Sequence, residues 1–153
     1  MKKQFPLFSI VFIAAIFMLS SCQEDDNLPV IKTKTQLITK SAWSFDKAFQ
    51  GTTDVSAQVP ICYKDNIVSF TSSTNGTVLN PVPCTPPPDN TPTAFTWSFT
   101  SGETVLSLNA ALFPGGSNSF SIVTLSETSL VISQDVIIPP LTTPTNVIFH
   151  YKH

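Results

Sequence analysis

Between Phe95 and Thr100 the chain alternates bulky apolar with small polar residues, Phe95, Trp97 and Phe99 against Thr96, Ser98 and Thr100. Successive side chains of a strand point to opposite faces, so a period of two spells a strand with one buried and one wet face. Val147, Phe149 and Tyr151 against Ile148, His150 and Lys152 repeat the pattern. Trp43, Phe45 and Phe49 against Ser44, Asp46, Ala48 and Gln50 give a third copy. A chain patterned this way for most of its length is expected to be all-β.

Beyond the strand that starts at Trp43, strands are expected at Ile67–Thr71, Thr77–Asn80, Ala94–Thr100, Thr104–Leu108, Ser119–Ser126, Ser129–Ile138 and Asn146–Lys152. Turn chemistry bounds each of them. Asn75-Gly76 suits a tight hairpin because both residues tolerate positive φ. Ser101-Gly102 and Ser126-Glu127 read as further turns, and Pro114 to Asn118 as a longer one. Eight consecutive strands joined by short turns argue an antiparallel meander, and closing it on itself would remove both exposed edges. Thr33 to Ala42 reads as a brief helix capped by Thr33 or Thr35. Two proline-rich stretches, Pro81 to Asn90 and Ile138 to Pro144, cannot continue a sheet. They read as stiff connectors, with a lid or a polyproline contact as the alternative.

The first residues carry an address. Lys2 and Lys3 precede the apolar run Ile10–Leu19, and small Ser20 and Ser21 follow, which is the layout of a secretory signal over residues 1–21. The run is too short to cross about 30 Å of hydrocarbon, which takes about 20 apolar residues. Leu19-Ser20-Ser21-Cys22 resembles the bacterial lipobox, which implies acylation of Cys22 and a mature chain beginning there. Residues 22–32 are then a lipidated tether, and residues 33–153 the folded domain. The acidic run after Cys22, Gln23-Glu24-Asp25-Asp26, resembles the surface-export signal of Bacteroidota lipoproteins. It implies display on the outer membrane's outer leaflet, with a periplasm-facing protein as the alternative.

Removing the leader takes away four of the twelve phenylalanines and two of the eight lysines, leaving six lysines against ten acidic residues and no arginine. Nucleic-acid binding needs a basic footprint, and none exists. With Cys22 acylated, Cys62 and Cys84 remain as a pair in an oxidising compartment, so a disulfide is expected. Metal binding by the same thiols is the alternative, but no histidine or third cysteine lies near to complete a ligand set.

The order of several loose motifs carries a resemblance. The lipobox, the short helix, Ser41-Ala42-Trp43-Ser44-Phe45, Cys62-Tyr63-Lys64-Asp65-Asn66-Ile67-Val68-Ser69-Phe70, Cys84, Phe95-Thr96-Trp97-Ser98-Phe99 and the Leu125–Ile132 hairpin together look like the lipocalin-like lipoprotein domains of Bacteroidota. The resemblance covers Lys34 to the end and implies an eight-stranded antiparallel up-and-down barrel with a short N-terminal helix. Ser41-Ala42-Trp43 stands where a lipocalin carries Gly-x-Trp.

No motif for chemistry accompanies the fold. A Gly-x-Ser-x-Gly elbow, a His-Glu-x-x-His pair and a phosphate-binding glycine loop are all missing. The histidines, His150 and His153, lie at the C-terminus, and the carboxylates from Asp46 to Asp135 are spread singly, mostly at expected turns. Asp65 reads as a turn former ahead of a strand. The expectation is therefore a non-enzymatic protein without cofactor or metal, held to a membrane by lipid. Trp43, Phe45, Phe95, Trp97, Phe99, Phe120, Phe149 and Tyr151 either fill the barrel or line a cavity for a small hydrophobic or amphipathic ligand. The alternative is a solid barrel that contacts an envelope protein or glycan.

Overall fold

The computed structural model describes residues 31–82, 84, 92–113 and 115–153. The leader, Cys22, the acidic run and most of the first proline-rich stretch lie outside the described residues. No described helix is long and apolar enough to cross a membrane.

From Lys32 on, the chain forms α1 (Lys34–Ile38), β1 (Trp43–Gln50), β2 (Thr53–Asp54), α2 (Ile61–Lys64), β3 (Ile67–Phe70), β4 (Asn75–Leu79), β5 (Thr93–Thr100), β6 (Val105–Leu108), β7 (Ser119–Leu125), β8 (Ser129–Val136) and β9 (Thr145–Lys152). Each strand from β3 to β9 pairs antiparallel with the next, and β1 pairs with both β3 and β9. The result is a closed eight-stranded barrel, compatible with a lipocalin-like fold. The two-residue β2 is an ear that folds back on the end of β1. Closure leaves no eight-stranded edge for another chain to template on.

The registers sort the connections onto two ends. One end carries the tight turns, Thr71–Thr74, Ser101–Thr104 and Ser126–Thr128, and α1 closes it. The other, here the mouth, carries β2, α2 and the long connections after β4, β6 and β8. Ser101, Gly102 and Glu103 all adopt positive φ, as a turn this tight demands.

At the closed end Thr33 caps α1 in a full capping box, its side chain accepting from the Gln36 amide while the Gln36 side chain accepts from the Thr33 amide. The helix stops at Ile38, four residues before the expected Ala42, because Trp43 needs its end. The buried Trp43 indole N–H donates to the Ile38 carbonyl at 2.8 Å. Lys32 and Lys40 both reach Glu127 in the β7–β8 turn, and Lys34 donates to the Glu103 carbonyl in the β5–β6 turn.

Two expectations are corrected. Asn75-Gly76 is not a hairpin turn: it is the start of β4, and the chain reverses at Thr71–Thr74. Glycine is required there for a different reason, because a Cβ at Gly76 would run into the Phe95 ring on the paired strand. In β1 the expected apolar face of Trp43, Phe45 and Phe49 breaks at a bulge, since Phe45 faces Tyr151 and Lys47 faces His150, leaving Asp46 as the extra residue. The phase flips there, so Ala48 is buried and Phe49 lies outside against the His150 ring, 5.2 Å between centroids. A second bulge, at Val123 of β7, leaves that side chain exposed and turns Leu125 back onto the core.

Candidate functional site

The barrel interior has two unlike halves. Toward the closed end, aromatic rings fill it. Phe70 meets Phe95 and Trp97 edge-on at 5.6 and 5.1 Å, and Trp97 meets Phe99 at 5.2 Å. The void left among Trp43, Val68, Phe70, Leu106, Leu112, Leu130, Ile132 and Tyr151 is about 10 Å3. That is at the limit of what one water needs. Burial pushes the Tyr151 phenol above its ordinary range, so it stays neutral.

Toward the mouth the packing opens into a pocket of about 340 Å3. Val59 and Pro60 lead into α2, whose Cys62 and Tyr63 form one wall. Cys62 is bonded to Cys84 with the two Cα atoms 5.0 Å apart, so the disulfide is part of that wall. Val136 of β8 and the run Ile137-Ile138-Pro139 beyond it form the opposite side, and Phe149 of β9 rises from below. Phe113, from the β6–β7 connection, folds over the mouth and stacks on Phe149 at 4.2 Å with the rings 8° from parallel. Tyr63 packs against Phe113 at 5.8 Å. Among the described residues no charged side chain lines this pocket.

A smaller chamber of about 150 Å3 shares Ile138 and Pro139 with the first. It adds Gln50, Val55, Gln58, Leu141, Thr145 and Val147. Thr145 has the same strand parity as buried Val147, Phe149 and Tyr151 and so points inward. Outside the barrel, between β7 and β8, runs a polar groove lined by Ser117, Ser119, Ser121, Ser133, Gln134, Asp135 and Asn146 among others.

Of the eight aromatic residues named from the sequence, Phe149 lines the larger pocket. Trp43 and Tyr151 border the 10 Å3 void. Phe95, Trp97 and Phe120 are buried in the core, with Phe45 and Phe99 half-buried against it. Phe113 and Tyr63 were missed, and both sit in connections. Their signal was apolar residues where a solvated link needs none: Leu112-Phe113 ahead of Pro114-Gly115-Gly116, and Val59 to Tyr63 ahead of β3.

Several titratable groups are engaged locally. Asp46 pairs with Lys152, Asp54 accepts from the Ser56 amide, Asp135 accepts from Asn146, and the two lysines hold the Glu127 carboxyl down to about 2. His153 lies against Trp43 at the closed end, far from the mouth. Asp65 ends α2, its amide bonded to the Ile61 carbonyl, and leads into β3. Among the described residues no three His, Cys, Asp or Glu side chains gather as a metal site. Compared with models of known protein families the chain matches none, and no curated protein matches it.

Proposed function

We propose that the chain is a non-enzymatic binding module, anchored to a membrane through acylated Cys22, that takes a small hydrophobic or amphipathic molecule in its mouth pocket. The observation that carries this reading is the contrast between the two halves of the barrel. The packing that leaves about 10 Å3 below yields to an apolar pocket of about 340 Å3 above, inside the range of ordinary ligand sites, about 300–1,000 Å3. A chain that needed only a stable barrel would gain by filling that volume, because empty apolar space costs stability.

The lipobox resemblance, with the acidic run behind Cys22, supports an outer-membrane lipoprotein displayed at the surface. Lys32 pairs with Glu127 at the closed end of the barrel, opposite the mouth. An uncharged naphthylamine dye is the direct test, since its fluorescence rises on transfer to an apolar pocket. Saturable binding at one site supports the reading, and no binding at any concentration ends it. Intact mass of the membrane-extracted protein tests the anchor, and protease shaving of whole cells tests display.

The polar groove between β7 and β8 favours a second reading, an interaction lipoprotein that contacts an envelope protein or glycan through hydroxyl and amide groups. Dye binding that leaves this groove's chemical-shift signals unmoved separates the two.

A further inference from the structure

Among the described residues, every buried side-chain oxygen that lacks a hydrogen-bond partner sits at the mouth end: both of Asp65, and one each of Asn66, Asn80, Gln134 and Thr145. Native proteins pair nearly all such atoms, and one left alone costs about 1–3 kcal/mol. The closed half has none among these residues. Both Trp43 and Trp97 have their N–H groups satisfied by backbone carbonyls there. The surplus is confined to one end of the barrel, and its chemistry is one-sided. Carboxylate and amide oxygens only accept, and a threonine hydroxyl accepts or donates. The mouth is short of donors.

Positive charge is equally short. Among the described residues neither chamber is lined by a lysine or histidine, and Lys64 on α2 donates to the Ser56 carbonyl. With no aspartate or glutamate lining either chamber among the described residues, a carboxylate, phosphate or ammonium head buried there would find no counter-charge. Thr145 is the member of the unpaired set that lines a chamber, and it does so beside the Gln50 and Gln58 amides, across Ile138 and Pro139 from the larger apolar pocket.

From this geometry we infer that the mouth selects an uncharged amphiphile with a hydroxyl head: the head donates to Thr145 Oγ1 in the smaller chamber, and the tail lies in the larger one. The inference rests on the reading of the mouth pocket as a hydrophobic site, and it adds the head-group chemistry. Long-chain alcohols and monoacylglycerols have that form; fatty acids do not.

The test is displacement of the uncharged dye from the purified protein by dodecanol, dodecanoate and dodecylamine, three ligands with one tail and different heads. Dodecanol is expected to displace best, by about tenfold or more over dodecanoate. Equal or tighter binding of dodecanoate, or tightest binding of dodecylamine, overturns the inference while dye binding keeps the pocket reading alive. A protein that does not bind the dye loses both. Thr145→Val keeps the shape and removes the hydroxyl. It is expected to weaken dodecanol about 5- to 10-fold more than it weakens the dye, and to hold or raise the melting temperature, because the lost hydroxyl had no partner. Gln50→Leu provides a second variant, with dodecanol again weakened more than the dye. Unchanged dodecanol affinity in both variants also overturns the assignment.

Discussion

The side-chain amide of Gln134 donates to the Ser119 carbonyl at 2.7 Å, across the point where β7 and β8 part. The ladder between these strands begins at Ser121 and Ser133, so one step toward the mouth a side chain does the work of the backbone. The same amide also donates to the Ser117 carbonyl at 2.7 Å and to its hydroxyl at 3.0 Å, which ties down the β6–β7 connection that carries Phe113. At 6% exposure Gln134 is the buried polar side chain of the described core, and its burial is bought by these bonds. Gln134→Leu removes these hydrogen bonds to Ser117 and Ser119, at a cost of about 1–3 kcal/mol. Urea unfolding of the variant checks the magnitude. Dye binding is expected to weaken too, since Phe113 is released with the loop.

Gly76 supports a second prediction. Its missing side chain is the space occupied by the Phe95 ring, and an added Cβ would also come within 2.7 Å of the Ser69 carbonyl. Overpacking of this kind costs about 1–3 kcal/mol. Gly76→Ala is expected to lower the unfolding midpoint accordingly, and Gly76→Ala with Phe95→Leu to recover part of the loss. A double variant no better than the sum of its parts would place the strain elsewhere.

That position shows what the sequence carries and what it does not. Alternation located all eight barrel strands, because period-two patterning is local to each strand. Asn75-Gly76 misled because its apparent reason, tolerance of positive φ, is local, whereas its actual reason is a ring on the neighbouring strand. The bulge at Asp46 belongs to the same class. Its sequence alternates in step through Phe49, and only pairing with β9 exposes the extra residue. Cys62 and Cys84 were legible as a pair by counting. That their bridge forms a pocket wall was not, because Phe113, Ile138 and Phe149 complete the pocket from three other segments.

The disulfide makes the third prediction. It closes a span of 22 residues, which in the chain-entropy account stabilises by about 3 kcal/mol. Cys62→Ser with Cys84→Ser is expected to lose about that much in urea unfolding. Because the bridge lines the pocket, dye affinity is expected to fall as well, even where the barrel remains folded. A loss of stability with unaltered dye affinity would separate the bridge from the site.

Acid exposes the clamp at the closed end. Lys32 and Lys40 lie 2.7 and 2.9 Å from the two Glu127 oxygens and lower its carboxyl from the ordinary 4.5 to about 2. A carboxyl lowered in the folded state contributes stability that is complete above its unfolded value and is lost as pH falls through its folded value. The stability gap between the native protein and Glu127→Gln should therefore be constant near neutral pH, shrink below about 4.5 and close near 2. The pair is solvent-exposed, so the gap is small and contracts in high salt. Urea midpoints across that pH range, at low and high salt, measure it.

Truncating one ring in each half of the barrel separates packing from binding. Phe95 is buried in the filled half, against Phe70 and Gly76. Phe95→Ala is expected to cost about 3–5 kcal/mol, the usual loss for a core phenylalanine. Dye affinity per folded molecule should stay where it was, because Phe95 lines neither chamber. Phe113 is also buried, but its ring lies on Phe149 and forms the roof of the pocket. Phe113→Ala should cost less stability, since the space it vacates opens onto an existing pocket, and it should change dye affinity several-fold because the ligand loses an aromatic face. Folded fraction by far-UV dichroism, measured beside dye titration, gives both quantities for each variant. If Phe95→Ala instead altered affinity while Phe113→Ala left it intact, the ligand would sit in the middle of the barrel, and the pocket at the mouth would be a void.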